Sequence, residues 1–207
     1  MKKEPATPPS DTAPSSSGTP DKRTSVSLPP GSRPTAFLMV CLGNICRSPL
    51  AEGILREKAR AAGLHWEIDS AGTNGYHVGE APHHLSQKVA RARGIDISSQ
   101  RARKFNADDF QRFDKIYAMA GDVVREMRRI AGRNYDPAKV ELLMNELHPG
   151  GNEDVPDPYY GSEPGYHEVY GMIDAAADSI VEKYGKPSAA TGSTQSKNAG
   201  PTQSKNV

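Results

Sequence analysis

The chain has 207 residues, enough for one domain with a hydrophobic core, and its net charge at pH 7 is only +1. Two cysteines are too few for a disulfide scaffold, so we expect a reducing compartment, the cytoplasm. No apolar run reaches membrane-spanning length, and the lysines near the N-terminus precede no apolar segment, so neither a membrane protein nor a secretion signal is expected.

The small net charge hides an uneven distribution along the chain. Residues 1–34 carry five basic and three acidic side chains, and residues 186–207 carry three lysines and no acid, which leaves 18 basic and 22 acidic side chains between them. Both end segments are polar, so they are predicted to be disordered low-complexity tails around one domain at residues 35–185. The tails could touch an anionic surface, but a mildly acidic domain does not favour nucleic acid as a partner.

The domain alternates between apolar runs and amphipathic segments. Residues 36–42, AFLMVCL, are typical of a strand buried on both faces, and residues 48–63 place their apolar side chains on one stripe of a helix. Further strands are predicted at 65–72, 114–120 and 139–147, and further helices at 85–93, 121–132 and 163–184. The alternation predicts an α/β fold: a four-stranded parallel sheet with helices on both faces, in a flavodoxin-like three-layer arrangement.

The loop in VCLGNICRSPLAEG, residues 40–53, follows the first strand, at the end of the sheet where ligands bind in such folds. Gly43 permits a positive φ and Asn44 tolerates one, so the loop can aim several N–H groups inward around an anion. Arg47 can grip two phosphate oxygens, and the next helix adds its positive end. The same field should favour the thiolate of Cys41, a nucleophile placed to attack a phosphate monoester.

Two motifs resemble those of one enzyme family. CLGNICRSPLAEG closely resembles the signature of low-molecular-weight protein-tyrosine phosphatases, and DPYYG at residues 157–161 resembles a second element of that family. The landmarks DSAGT at 69–73 and FDKIYAM at 113–119 also fall in the family's order. The resemblance covers about residues 36–184, so it spans the predicted domain and neither tail.

The resemblance implies a role for each matching residue. Cys41 would be the nucleophile that forms a cysteinyl-phosphate, Arg47 would bind the phosphoryl oxygens, and Asp157 would be the general acid. The remaining phosphate-binding positions are Leu42, Gly43, Asn44, Ile45, Cys46 and Ser48. Among these, Asn44 would brace the loop and Ser48 would hydrogen-bond to the nucleophile. Cys46 matches a second loop cysteine that, in the family, can form a reversible disulfide with the nucleophile.

Chemistry supports the acid and the cleft independently. A phenolate leaving group needs a proton, which a nearby carboxylic acid such as Asp157 can supply. Asp154 is a competitor for this role, although it is more typical of a turn residue. Tyr159 and Tyr160 would form walls against a phosphotyrosine ring, and Tyr76 lies where the family has an aromatic residue at the rim. A deep aromatic pocket favours phosphotyrosine over the shorter phosphoserine.

The chain departs from the family pattern after the third strand. Many relatives carry an aspartate directly after the methionine that matches Met119, whereas this chain has Ala120. The support of the phosphate loop is therefore in doubt, unless Asp122 partly replaces the missing carboxylate.

Other readings share parts of the same pattern. Thiol-relay arsenate reductases need cysteines beyond the loop, and this chain has none. Arginine phosphatases typically carry threonine at the position of the apolar Ile45, and a phosphopeptide-binding module would not need Cys41 and Asp157 intact. The thiolate, the guanidinium and the backbone amides can stabilise the charges of the reaction, so we expect no metal and no cofactor. His83 and His84 are more typical of a solvated helix start than of metal ligands. We expect a phosphotyrosine-containing protein as the partner, no nucleic acid or membrane, and a monomer or weak dimer.

Overall fold

The computed structural model describes residues 34–186. The two predicted tails therefore lie outside the described residues, apart from their innermost positions. The sheet has four parallel strands in the order β2–β1–β3–β4, which confirms the predicted sheet. The strands are β1 (Ala36–Cys41), β2 (Glu67–Gly72), β3 (Lys115–Ala118) and β4 (Val140–Leu142).

Helices cover both faces of the sheet, as predicted. They are α1 (Arg47–Ala61), α2 (His84–Arg91), α3 (Asp109–Arg112), α4 (Gly121–Ala131) and α5 (Glu163–Gly185). Alternate residues of β1 point to opposite faces, since Phe37 and Met39 join the core with α1 and α5 whereas Leu38 and Val40 join the core with α4. Every residue of β1 is buried, because this strand is central and both of its faces are covered.

The prediction of the last strand is wrong in length, because the observed strand is shorter than residues 139–147. Only Val140–Leu142 is a strand, and Leu143–Glu146 forms a 3-10 helix instead. Leu143 and Met144 are adjacent and both lie in the core beside α5. A strand would point neighbouring side chains to opposite faces, so burying both on one side requires the chain to turn.

The short helix α3 was not predicted from the sequence. Side chains in residues 106–109, NADD, stabilise its first turn. The Asn106 N–H donates to the Asp109 carboxylate at 2.9 Å, and the Asp108 N–H donates to the Asn106 side chain at 2.9 Å. An Asn or Asp that caps a nearby N–H is a recognised signal for a turn or helix start, so this element was readable in principle.

Close packing of α1 against the segment after α2 depends on Gly53. A Cβ atom at Gly53 would lie 2.5 Å from Cγ2 of Ile97, which is itself 1% exposed. Because Ile97 is branched at Cβ and enclosed, it cannot move aside easily.

We predict that Gly53→Ala lowers the free energy of unfolding by about 1–3 kcal/mol through overpacking. The matched control is Gly171→Ala in the middle of α5, where nothing lies within 4 Å of the new methyl group. That change should raise the free energy of unfolding by about 0.5–1 kcal/mol, because alanine favours a helix more than glycine does. Urea unfolding of the three proteins measures both effects, and equal midpoints for Gly53→Ala and the unchanged protein would contradict the packing argument.

Candidate active site

The loop between β1 and α1 has Cys41 at one end and Arg47 at the other. Cys41 is the last residue of β1, and Arg47 is the first residue of α1. The left-handed residue in this loop is Asn44, with φ of 57°, whereas Gly43 does not have a positive φ. Gly43 is instead confined by its surroundings, because a Cβ atom there would lie 3.1 Å from the His77 ring.

The side chain of Asn44 joins the loop to the rest of the domain. Its amide nitrogen donates to the hydroxyls of Ser48 at 2.9 Å and Ser70 at 2.8 Å. Its amide oxygen accepts from the backbone N–H of Arg103 at 2.9 Å. Ser70 in turn donates to the carboxylate of Glu52 at 2.5 Å, and burial raises the pKa of Glu52 above its ordinary value. The loop is thus held from α1, from β2 and from the segment before α3.

The sulfur of Cys41 lies among polar hydrogens. Sγ is 3.1 Å from the Ser48 hydroxyl and accepts the backbone N–H of Asn44 at 3.2 Å. Both groups can therefore donate a hydrogen bond to this sulfur. Cys41 is 3% exposed, so it lies at the floor of a cleft and not on the open surface.

The Arg47 guanidinium is enclosed and connects the loop to the distant segment 155–157. One terminal nitrogen donates to the Val155 carbonyl at 3.1 Å, and the other donates to the Asp157 carboxylate at 2.5 Å. Val155 is attached to the end of β3 through its own N–H, which donates to the Met119 carbonyl at 2.8 Å. The Arg47 Nε has no hydrogen-bond partner within residues 34–186, so one donor of this buried cation is unused.

The carboxylate of Asp157 is held at its other oxygen by the Tyr159 N–H at 3.2 Å, and its side chain is 42% exposed. Asp154, the other candidate for the general acid in the sequence, accepts instead from the Gly121 N–H at 2.8 Å. Asp154 therefore caps the start of α4. Asp122 accepts from the neighbouring Val123 N–H at 2.7 Å, so it stabilises the first turn of the same helix.

A cavity of about 370 Å³ opens above Cys41 and Arg47. The loop forms its floor, and its walls include Asp157 together with the predicted cleft residues Tyr76, Tyr159 and Tyr160. Asn44 and Ser48 are not in the lining, because they lie buried behind the loop and support it. The sequence interpretation missed two lining residues, Asn74 and His77, and the only signal for them is that they flank Tyr76 in GTNGYHVG.

Cys46 lies on the inner side of the loop, against α5. Its Sγ is 3.7 Å from the Tyr166 hydroxyl, and burial raises the pKa of Cys46 to about 12. The Tyr166 hydroxyl also contacts Nδ1 of His83 at 2.9 Å. His83 and His84 do lie at the start of α2, as predicted, and His84 is exposed. The predicted solvation is wrong for His83, because its ring stacks on Tyr166 at 5.3 Å and its backbone N–H donates to the Ile45 carbonyl at 2.7 Å. Partial burial lowers the pKa of His83. His83 is therefore a second brace for the loop.

These features can be compared with those of known proteins. A family model described as "Low molecular weight phosphotyrosine protein phosphatase" matches residues 36–190. The chain belongs to this family. It is 40% identical over 146 residues to the low molecular weight protein-tyrosine-phosphatase of Streptomyces coelicolor, covering 69% of this chain and 88% of that protein.

Solved structures agree with the assignment. The crystal structure of YfkJ from Bacillus subtilis matches with a TM-score of 0.66 and 35% identity, covering 72% of this chain and 92% of that one. Wzb from Vibrio vulnificus in complex with benzylphosphonate matches with a TM-score of 0.65 and 25% identity, covering 72% and 98%. The chain is a cysteine-dependent protein-tyrosine phosphatase, and the expected family, fold and activity are confirmed.

The part of the chain that the structure describes has neither a candidate metal cluster nor a candidate membrane span. No group of three or more His, Cys, Asp or Glu side chains in residues 34–186 could hold a metal ion. In the same range, no helix combines the length and the apolar character that crossing a bilayer requires.

Gly72, at the end of β2, lies directly under the phosphate loop. A Cβ atom there would lie 2.9 Å from the Leu42 oxygen and 3.0 Å from the Asn44 nitrogen, both of which are backbone atoms. Gly72 itself cannot retreat easily, because its N–H and carbonyl are bonded to the backbone of residues 103 and 105 at 2.9 and 2.8 Å.

We predict that Gly72→Ala displaces the loop and lowers kcat/KM for p-nitrophenyl phosphate by about 10- to 100-fold, because misplacement of about 1 Å costs that much in catalysis. Gly75→Ala is the matched control, since its nearest contact would be an ordinary 3.6 Å to the Lys104 side chain. Steady-state kinetics of both variants decide the matter. Equal activity in the two would show that the loop does not depend on close approach at Gly72.

Proposed function

We propose that Cys41 attacks the phosphorus of a phosphotyrosine side chain in a protein substrate. The observation that carries this proposal is the position of the Cys41 sulfur at the floor of an aromatic cavity beside the buried guanidinium of Arg47. Attack by the thiolate forms a sulfur–phosphorus bond, and the bond from phosphorus to the tyrosine oxygen breaks. The product is a cysteinyl-phosphate, which water then hydrolyses to inorganic phosphate and free Cys41.

The loop stabilises the negative charge on the sulfur and on the phosphoryl oxygens in both steps. The Asn44 N–H and the Ser48 hydroxyl lie within 3.2 and 3.1 Å of the sulfur, so they favour the thiolate as nucleophile and as leaving group. Arg47 supplies a positive charge at the cavity floor, and its Nε has no hydrogen-bond partner in the described part of the chain. A guanidinium can bind two phosphoryl oxygens at once, and this interaction is strongest where water is excluded.

Asp157 is proposed as the general acid. Its carboxylate is bonded to Arg47 at 2.5 Å, so an arriving phosphate must compete with Asp157 for the same guanidinium nitrogen. Once the phosphate occupies Arg47, the released Asp157 carboxylate takes up a proton from solvent, turns to the tyrosine oxygen and donates that proton there. The resulting carboxylate then accepts a proton from the water that attacks the cysteinyl-phosphate.

The shape of the cavity supports phosphotyrosine as the substrate. Tyr159 is 39% exposed and Tyr160 is 97% exposed, so both rings are available to contact the phenol ring of the substrate. Tyr76, 85% exposed, forms the rim that a substrate chain must pass. Ile45 contributes an apolar lining, which favours an aromatic side chain over the charged side chain of phosphoarginine.

The proposal extends to the setting in which the enzyme works. We expect a cytoplasmic location, because both cysteines are free thiols and catalysis requires a reduced Cys41. We expect no nucleic acid or membrane partner and a monomer or weak dimer. The disulfide between Cys41 and Cys46 stays a prediction, and the raised pKa of Cys46 means that its thiolate is scarce near pH 7. Mass spectrometry after mild peroxide treatment tests for it.

The first test is phosphate release from a phosphotyrosine peptide in EDTA with a reductant. We predict turnover by the unchanged protein and none by Cys41→Ser, because a serine hydroxyl is not ionised near pH 7. Turnover that survives in Cys41→Ser would contradict the proposal. A protein that binds the peptide without turnover would be a phosphopeptide-binding module, and a preference for phosphoarginine peptides would reassign the substrate.

The acid is tested by Asp157→Ala, with Asp154→Ala as its control. We predict that Asp157→Ala lowers kcat for the phosphotyrosine peptide by about 10²–10⁴-fold. The loss should be smaller for p-nitrophenyl phosphate, whose leaving group needs less help from a proton. Asp154→Ala should keep its activity and lose about 1 kcal/mol of stability, since it removes a helix cap. The reverse pattern would exchange the two assignments.

A further inference from the structure

A second cavity lies beside the catalytic cleft. Its volume is about 330 Å³, and three of its lining residues, Leu42, Asn74 and Tyr76, also line the catalytic cleft. These shared residues form a low wall between the two cavities. The outer face of that wall is exposed, because Leu42 is 42% and Tyr76 is 85% accessible. A chain that crosses Tyr76 on its way out of the cleft therefore enters the second cavity.

The charged groups of the second cavity are Lys104, Arg129 and Glu126. Arg129 and Glu126 neutralise each other, since the guanidinium Nε of Arg129 donates to the Glu126 carboxylate at 2.9 Å. Among residues 34–186, no carboxylate lies within ion-pair distance of the Lys104 ammonium. The cavity thus presents one uncompensated positive charge next to the phosphotyrosine site.

Lys104 is held in place by its backbone and its stem. It forms a β-bridge with Gly72, and its neighbours in the chain are hydrogen-bonded to Gly72 on both sides. Its Cδ lies 3.6 Å from the position that a Gly75 Cβ would take, so the aliphatic stem runs along the rim loop. Thr73 also lines the second cavity, and its hydroxyl is enclosed without a hydrogen-bond partner in the described part of the chain. The cavity thus has a second donor besides the Lys104 ammonium.

We propose that this cavity binds the carboxylate of an acidic residue that lies close in sequence to the phosphotyrosine of the substrate, with Lys104 as its main partner. This proposal rests on the proposed function, because it places the phosphotyrosine ring on the inner side of Tyr76. The flanking residues then lie on the outer side, above Leu42 and Lys104. An acidic neighbour gains an ion pair at the surface, and a basic neighbour is repelled.

The test compares phosphotyrosine peptides in which single positions from three before to three after the phosphotyrosine carry Glu or Gln. We expect at least one position at which Glu raises kcat/KM over Gln by about two- to fivefold, which is the size of an exposed ion pair. The ratio should fall towards one when the ionic strength is raised from about 0.05 M to about 0.5 M, because Lys104 is exposed. p-Nitrophenyl phosphate, which has no flanking residue, is the reference for the catalytic cleft itself.

Three variants assign the effect to the cavity. Lys104→Glu should abolish or reverse the Glu preference while leaving kcat/KM for p-nitrophenyl phosphate unchanged. Lys186→Glu, at the far end of α5, makes the same charge change away from both cavities and should keep the preference. Glu126→Gln releases Arg129 from its ion pair, so it should increase the preference above that of the unchanged protein.

The outcomes separate this proposal from the proposed function. Failure of the unchanged protein to hydrolyse p-nitrophenyl phosphate would overturn the proposed function itself. Normal hydrolysis with no Glu preference at any of the six positions would overturn the second cavity as a carboxylate site. A preference that persists in Lys104→Glu would place the acidic contact elsewhere on the surface and would also overturn it.

Discussion

The hydrogen bonds of the Asn44 side chain are the interaction on which the catalytic site depends. Asn44 lies in the left-handed region, with φ of 57°, and its amide contacts Ser48, Ser70 and the backbone of Arg103. The left-handed conformation is costly for most residues, and asparagine is one of the few that tolerate it. Three satisfied hydrogen bonds in a buried setting offset that cost. With the amide in place, the backbone N–H of Asn44 itself donates to the Cys41 sulfur at 3.2 Å, so one residue fixes both the shape of the loop and a hydrogen bond to this sulfur.

A second dependence connects parts of the chain that are far apart in sequence. Arg47 and Asp157 are separated by 110 residues, yet their side chains meet at 2.5 Å. The order of the strands makes this possible, because β1 and β3 are neighbours and the segment that carries Asp157 is attached to the end of β3. In the proposed mechanism, phosphate binding and proton donation are therefore coupled through the Arg47 guanidinium, which pairs with Asp157 when no phosphate is bound.

The absence of an aspartate at Ala120 has a structural answer. The loop is braced by Asn44, Ser70 and Glu52 on one side and by the His83 N–H on the other. Asp154 caps α4 by accepting the Gly121 N–H. The loop of this chain is therefore supported by contacts from several separate elements and does not need a carboxylate at position 120.

Much of the fold was readable from local pattern. The apolar run of β1 and the stripes of α1 and α5 reflect burial, which acts on every residue of an element at once and leaves a clear period in the sequence. The 3-10 helix at Leu143–Glu146 was misread as strand because its apolar run has no period of its own. The choice between strand and helix there was made by packing against α5. The helix start at His83 was predicted correctly, but its partial burial was not, since its partner Tyr166 is distant in sequence.

The sequence by itself determined the family, the βα alternation and the chemistry of the loop, because Cys41, Asn44, Arg47 and Ser48 act within one short segment whose spacing sets their geometry. Only the tertiary structure showed that Asp157 pairs with Arg47, what braces the loop from behind, and that a lysine with no ion-pair partner among residues 34–186 borders a second cavity beside the cleft. Those features depend on contacts between residues far apart in the chain. Such contacts follow from how the strands are ordered and the helices packed, and a local pattern carries no record of them.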